Sequence, residues 1–111
     1  SFSLLLYDPF PGTKFEKPLD WIQETRRNTV ELEEGKIIEM EVQEIDLGKT
    51  NKGYIIQSSN DSPSQATVYF KMNEGIRALK YHSYSDSDIR LKDYEVFRDI
   101  LKTMSFESPV Y

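Results

Sequence analysis

Apolar and polar residues along this chain repeat with two periods, one of two residues and one near three and a half, and each period keeps to its own stretches. Residues 2–7, FSLLLY, form a short apolar run that predicts a strand. The segment DPFPGTKFEKP follows, with three prolines and one glycine, and predicts a loop. Pro18 suits the first turn of a helix, where its missing N–H would have no partner in any case. Residues 19–28, LDWIQETRRN, then predict that helix. Leu19, Ile22 and Thr29 share one face, and Trp21 and Thr25 stand beside it at four-residue spacing.

Residues 36–46 alternate, with Ile38, Met40 and Val42 on one side and Glu39, Glu41 and Gln43 on the other, and predict a single strand. LGKTNKG is a turn with two glycines, YIIQSS a strand, and NDSPSQ a loop of turn formers. ATVYFKM returns to alternation, with Val68, Phe70 and Met72 opposite Thr67, Tyr69 and Lys71. Asn73 to Gly75 make a tight hairpin turn. IRALKYHSY is the returning strand, dividing Arg77, Leu79 and Tyr81 from Ile76, Ala78, Lys80 and His82. SDSDIRLKD reads as a polar loop. A last helix opens at Lys92 or Asp93, and Tyr94, Phe97, Leu101 and Met104 form its apolar stripe, widened by Ile100. The order strand, helix, four-stranded antiparallel meander, helix predicts an α+β fold, an antiparallel β-sheet flanked by two helices. No internal repeat or domain boundary interrupts it, so residues 1–111 are expected to form one domain.

Composition adds limits. Aromatic residues make up 13% of 111 residues, which suits a packed core and argues against disorder. No apolar run approaches the roughly 20 residues that span a bilayer. Cysteine is absent, which excludes disulfides, thiolate zinc ligands and a thiol nucleophile. The net charge is −5, and residues 31–46 concentrate seven acids against Lys36 alone. That balance lacks the basic footprint of a nucleic-acid binder and repels an anionic membrane surface.

Four groups of residues carry candidate chemistry. Glu39, Glu41 and Glu44 can face a basic partner or a divalent cation; as a plain solvated face they would pair across strands with Lys71 and Lys80. Asp86 and Asp88 bring oxygens together as a Ca²⁺ loop does, without the spacing or closing Glu of an EF-hand. His82, the single histidine, stands beside Tyr81 and near Asp86, an acid–base set with no nucleophile motif to serve. Phe10, Phe15 and Trp21 gather around the Pro-rich loop and suggest an apolar ligand groove; the plainer reading makes Trp21 an anchor of the first helix. Asn60-Asp61-Ser62 matches a glycosylation sequon followed at once by Pro63. No cofactor or metal is expected.

PLDWIQ after an early strand resembles the Leu-x-x-Trp-Ile-like helix of bacterial PsbP-like proteins. The ending FRDILKTMSF, with Phe97, Ile100, Leu101, Thr103, Met104 and Phe106, is similar to that superfamily's closing phrase, except that Met104 stands where Phe is usual. The order of elements agrees over residues 2–106. The resemblance implies an α/β/α sandwich around an antiparallel sheet. It also implies a non-enzymatic binding or assembly protein with a protein partner, exported in bacteria and often lipid-anchored. Members usually carry a further strand or two before the point where this chain opens, which suggests that an N-terminal part is missing. The motifs lie at core positions and specify fold more than activity. The alternatives are a small-molecule carrier with its groove near Trp21 and an enzyme built on His82.

Overall fold

The computed structural model describes residues 1–9, 17–31, 35–49, 51–59, 63–72 and 75–104. In chain order the elements are β1 (Phe2–Tyr7), α1 (Pro18–Thr25), β2 (Thr29–Glu31), β3 (Ile37–Glu39), β4 (Gln43–Leu47), β5 (Asn51–Gln57), β6 (Gln65–Met72), β7 (Gly75–Ser83) and α2 (Ser87–Thr103). Five strands form one sheet in the order β1-β7-β6-β5-β4, with every neighbouring pair antiparallel. The meander β4 to β7 follows the chain, and β1 returns to pair with β7 from Phe2–Ser83 to Tyr7–Ala78. β2 and β3 make a separate two-stranded ribbon. The chain is thus an α+β fold built on an antiparallel sheet.

Strand alternation feeds a different core on each face of that sheet. Val68 and Phe70 of β6 and Leu79 and Tyr81 of β7 join Ile45, Leu47 and Ile55 beneath Phe97 and Leu101 of α2. Tyr69, Ile76, Ala78 and Ile56 occupy the intervening positions and meet Trp21 and Ile22 of α1. Tyr81 stacks on Phe97, with ring centroids 4.5 Å apart and planes 18° from parallel. Trp21 meets Tyr69 edge-on at 5.3 Å. The helices lie on opposite faces; α2 buries its expected stripe, whereas α1 buries Trp21 and Ile22, leaving Leu19 half-buried and Thr29 in β2.

α2 is held at three levels besides its apolar stripe. Two turns in, Asp93 accepts hydrogen bonds from the Ser83 hydroxyl (3.0 Å) at the end of β7 and the Ser85 hydroxyl (2.6 Å) just beyond it. In the middle, the Tyr94 hydroxyl donates to Oε1 of buried Gln57 and accepts from Arg98 (3.2 Å). At the far end, the Gly48 amide donates to the Leu101 carbonyl (2.9 Å), one of the carbonyls that a helix end leaves without an internal partner. Gly48 has φ +62, and a Cβ there would run into the Met104 carbonyl oxygen. Glycine is the residue this turn admits.

The structure corrects five boundaries. Residues 36–46 are two strands: Met40 and Val42 pack with the α1 core, whereas Ile45 and Leu47 pack with the α2 core. That is also the parity of one straight strand, so the break is set by pairing instead: β3 joins β2 in the ribbon and β4 joins β5 in the main sheet. β2 follows α1 directly and pairs with β3, a ribbon that three residues of periodicity are too short to signal. α1 ends at Thr25, not Asn28, because Arg26 turns left-handed. β5 starts at Asn51, and Gly53 lies within it, tight against the side chains of Leu47 and Val68. α2 starts at Ser87, with Asp86 at its N-cap; its exposed first turn buries no apolar residue and so shows no stripe. The hairpin residues Asn73 and Glu74 lie outside the described residues.

Two outcomes follow. Leu101→Ala should cost ~2–5 kcal/mol, read as a lower urea midpoint, because Leu101 is 1% exposed in the core beneath α2. The Ser85 and Ser83 hydroxyls hold the Asp93 carboxyl below its ordinary value of 3.8, so its contribution is present above pH 3.8 and lost as pH falls through the depressed value. Thermal melts should show Asp93→Asn less stable than the wild type near neutrality, with the gap closing in acid.

Candidate functional site

α1 is too short for the face it covers. Its eight residues span about 12 Å, while the eight residues of β6 beneath it run about 26 Å. Antiparallel register lines the face up in rows. Tyr54, Tyr69, Ala78 and Tyr7 form one row, and all four pack with or beside the α1 core. The next row is Ile56, Thr67, Lys80 and Leu5, and the one beyond holds Gln65, His82 and Ser3. The same face thus changes from apolar to polar where α1 stops.

The turn from Thr25 to Glu31 overhangs that polar end and closes a groove of about 790 Å³. Ile56, Thr67, Tyr69 and Lys80 line it from the sheet, and Arg26, Arg27, Thr29 and Glu31 from the turn. Two hydroxyls brace the turn: Thr25 donates to the Trp21 carbonyl (2.6 Å) and Thr29 to the Arg26 carbonyl (3.1 Å). The Arg27 amide donates to the Ile22 carbonyl (3.0 Å), the six-to-one bond of a Schellman ending. The left-handed residue of that ending is Arg26, with φ 56 and ψ 38, where glycine is usual. An L side chain in that region costs about 1 kcal/mol or more.

Three cations therefore border one groove against a single carboxylate, in a chain whose net charge is −5. Among the described residues, none of Arg26, Arg27 and Lys80 forms a salt bridge. Arg27 lies over the Trp21 ring at 5.7 Å, which fixes its guanidinium beside the groove. A second groove of about 740 Å³ lies on the other side of the turn and shares Arg26 and Thr29 with the first. Its walls include Leu19 and Gln23 of α1 and the run Glu39 to Val42.

The residues singled out from sequence are dispersed. Glu39 accepts from Asn28 (3.1 Å) and, with Glu41, borders the second groove. Glu44 belongs to β4 and lies 4.0 Å from Lys52, which also pairs with Asp46. The expected mates Lys71 and Lys80 sit on β6 and β7, beyond β5, so the three glutamates are not one strand face with those partners. Trp21 is 1% exposed and lines neither groove; Phe10 and Phe15 lie outside the described residues. His82 stacks on Tyr84 at 4.4 Å, on the α1 side of β7. Tyr81 points into the α2 core, its buried hydroxyl without a hydrogen bond among the described residues, and Asp86 caps α2. The three do not converge as an acid–base set. Among the described residues no three His, Cys, Asp or Glu side chains cluster as metal ligands would.

Arg26, Arg27 and Lys80 escaped sequence reasoning, although two signals were present. One is the Arg-Arg pair just past the helical stripe. The other is the change along a single face of β7 from Ile76 and Ala78 to Lys80 and His82.

Tyr69 reports on how dry this boundary is. Burial, and then the neighbouring Tyr7, push its phenol from 10.0 up to about 12, against the opposing effect of Arg27. The unfolded chain ionises this phenol first, so it should lower stability as pH climbs from 10 towards 12. Spectrophotometric titration of the wild type and Tyr69→Phe should differ by one late-ionising tyrosine.

Compared with known proteins, the chain matches no family model, no curated protein and no solved structure.

Proposed function

We propose that this chain is a non-enzymatic binding or assembly module of the PsbP-like type, exported, and acting on a protein partner through its surface. The observation that carries this reading is the edge strand β1. Among the described residues it is hydrogen-bonded to β7 on one side and to no strand on the other. Leu4, Leu5 and Leu6 are 38%, 59% and 55% exposed on it. Natural edge strands are commonly blunted by lysine, proline or a bulge. FSLLLY carries no charge and no proline, and its unpaired backbone groups and three leucines suit an added strand from a partner. The placement of one helix on each face of an antiparallel sheet agrees with the PsbP-like arrangement, and the pair of aromatic cores leaves the chemistry of recognition to edges and rims.

Leu5→Lys puts a charge at the most exposed leucine of the edge, where a surface change should leave stability within about 0.5 kcal/mol. Protein captured from native cells by the full-length wild type and identified by mass spectrometry should then bind the purified module directly. The variant should lose at least tenfold in that affinity at an unchanged melting temperature. Equal affinity of the two, or no partner that binds directly, overturns the reading.

A further inference from the structure

The cationic groove beyond the end of α1 has properties that the packing of the fold does not require. Arg26 stands at the left-handed position of a Schellman ending, which glycine fills without strain. Arg26 lines the groove, as do Arg27 and Lys80. Among the described residues these charges are not neutralised by salt bridges, and Glu31 is the single carboxylate at the rim. Arg27 lies over the Trp21 ring at 5.7 Å, and its guanidinium carries N–H donors that suit an acceptor. Thr67 and Gln65 add a hydroxyl and an amide from β6. Buried Ile56 and Tyr69 supply an apolar base.

We infer that this groove binds a small organic anion, with its carboxylate or phosphate oxygens held by Arg26, Arg27 and Lys80 and its carbon body resting on Ile56 and Tyr69. Guanidinium groups suit such oxyanions because their N–H donors match two acceptor oxygens at once. The volume of about 790 Å³ lies within the range of small-molecule sites and is far too small for a folded partner. Overall negative charge disfavours long polyanions such as nucleic acid, which would meet acidic surface outside the groove. Leu5 is the cross-strand neighbour of Lys80 but does not line the groove, so the site stands whether or not the outer edge of β1 takes a partner strand.

The test uses calorimetric titration of the wild-type protein at low ionic strength with two probes, citrate and inorganic pyrophosphate. Saturable one-to-one binding of either probe, weakening as salt is added, is the expected result. The better probe tells a carboxylate ligand from a phosphate one. Lys80→Gln should weaken that binding by about tenfold or more, the usual loss for one charged hydrogen-bond partner. Arg26→Gly should weaken it similarly while holding or raising the melting temperature, since glycine relieves the left-handed backbone. Lys52→Gln, at the β4–β5 edge, should leave binding unchanged. Trp21 is the single tryptophan, so its fluorescence should shift on binding in the wild type through Arg27. No saturable binding of either probe, or equal binding by the wild type and Lys80→Gln, overturns the proposal.

Discussion

The antiparallel pairing of β6 with β7 is the constraint on which the rest of this molecule depends. Both strands lie inside the sheet, so every residue in them faces one of two helices or the space a helix fails to fill. Val68, Phe70, Leu79 and Tyr81 are committed to α2, and Tyr69, Ile76 and Ala78 to α1. A one-residue slip would exchange the two sets and put Lys80 and Thr67 under a helix. Register, helix placement and the position of each groove are therefore one decision.

Unequal helices turn that decision into a surface. α2 has seventeen residues, about 26 Å, and the Asp93–serine contacts near β7 and the Gly48–Leu101 hydrogen bond beside β4 hold its middle and its far end. α1 reaches less than half as far. Where it ends, the polypeptide turns through Arg26, and the polar rows of the sheet face water under that turn. The strained arginine and the polar rows thus share one physical origin, the early stop of α1.

The acidic stretch illustrates the opposite case. As one strand it would divide its acids by alternation, Glu39 and Glu41 on one side and Glu44 and Asp46 on the other. Divided between the β2–β3 ribbon and β4, its glutamates acquire different neighbours: Asn28 for Glu39, Lys52 for Glu44. The acids of this stretch are thus dispersed, while Arg26, Arg27 and Lys80 are brought to one groove. The contrast is one of tertiary arrangement, since the linear sequence suggests the reverse.

Local periodicity by itself determined the elements whose residues carry their own pattern. The stripe Tyr94, Phe97, Leu101 encodes the buried side of α2, the alternation of residues 66–72 and 76–83 encodes the meander, and Trp21 with Ile22 encodes the packed side of α1. These follow from side-chain geometry within a few residues. Tertiary structure alone decided what depends on partners distant in sequence. β1 joins β7 across more than seventy residues, and the division of residues 36–46 follows from β3 pairing with β2 and β4 with β5. The site residues belong to this second class. Arg26 and Arg27 lie more than fifty positions from Lys80, on surface elements with no shared periodicity, and they meet because the register of β7 sets Lys80 one row beyond Ala78, where α1 no longer covers the sheet.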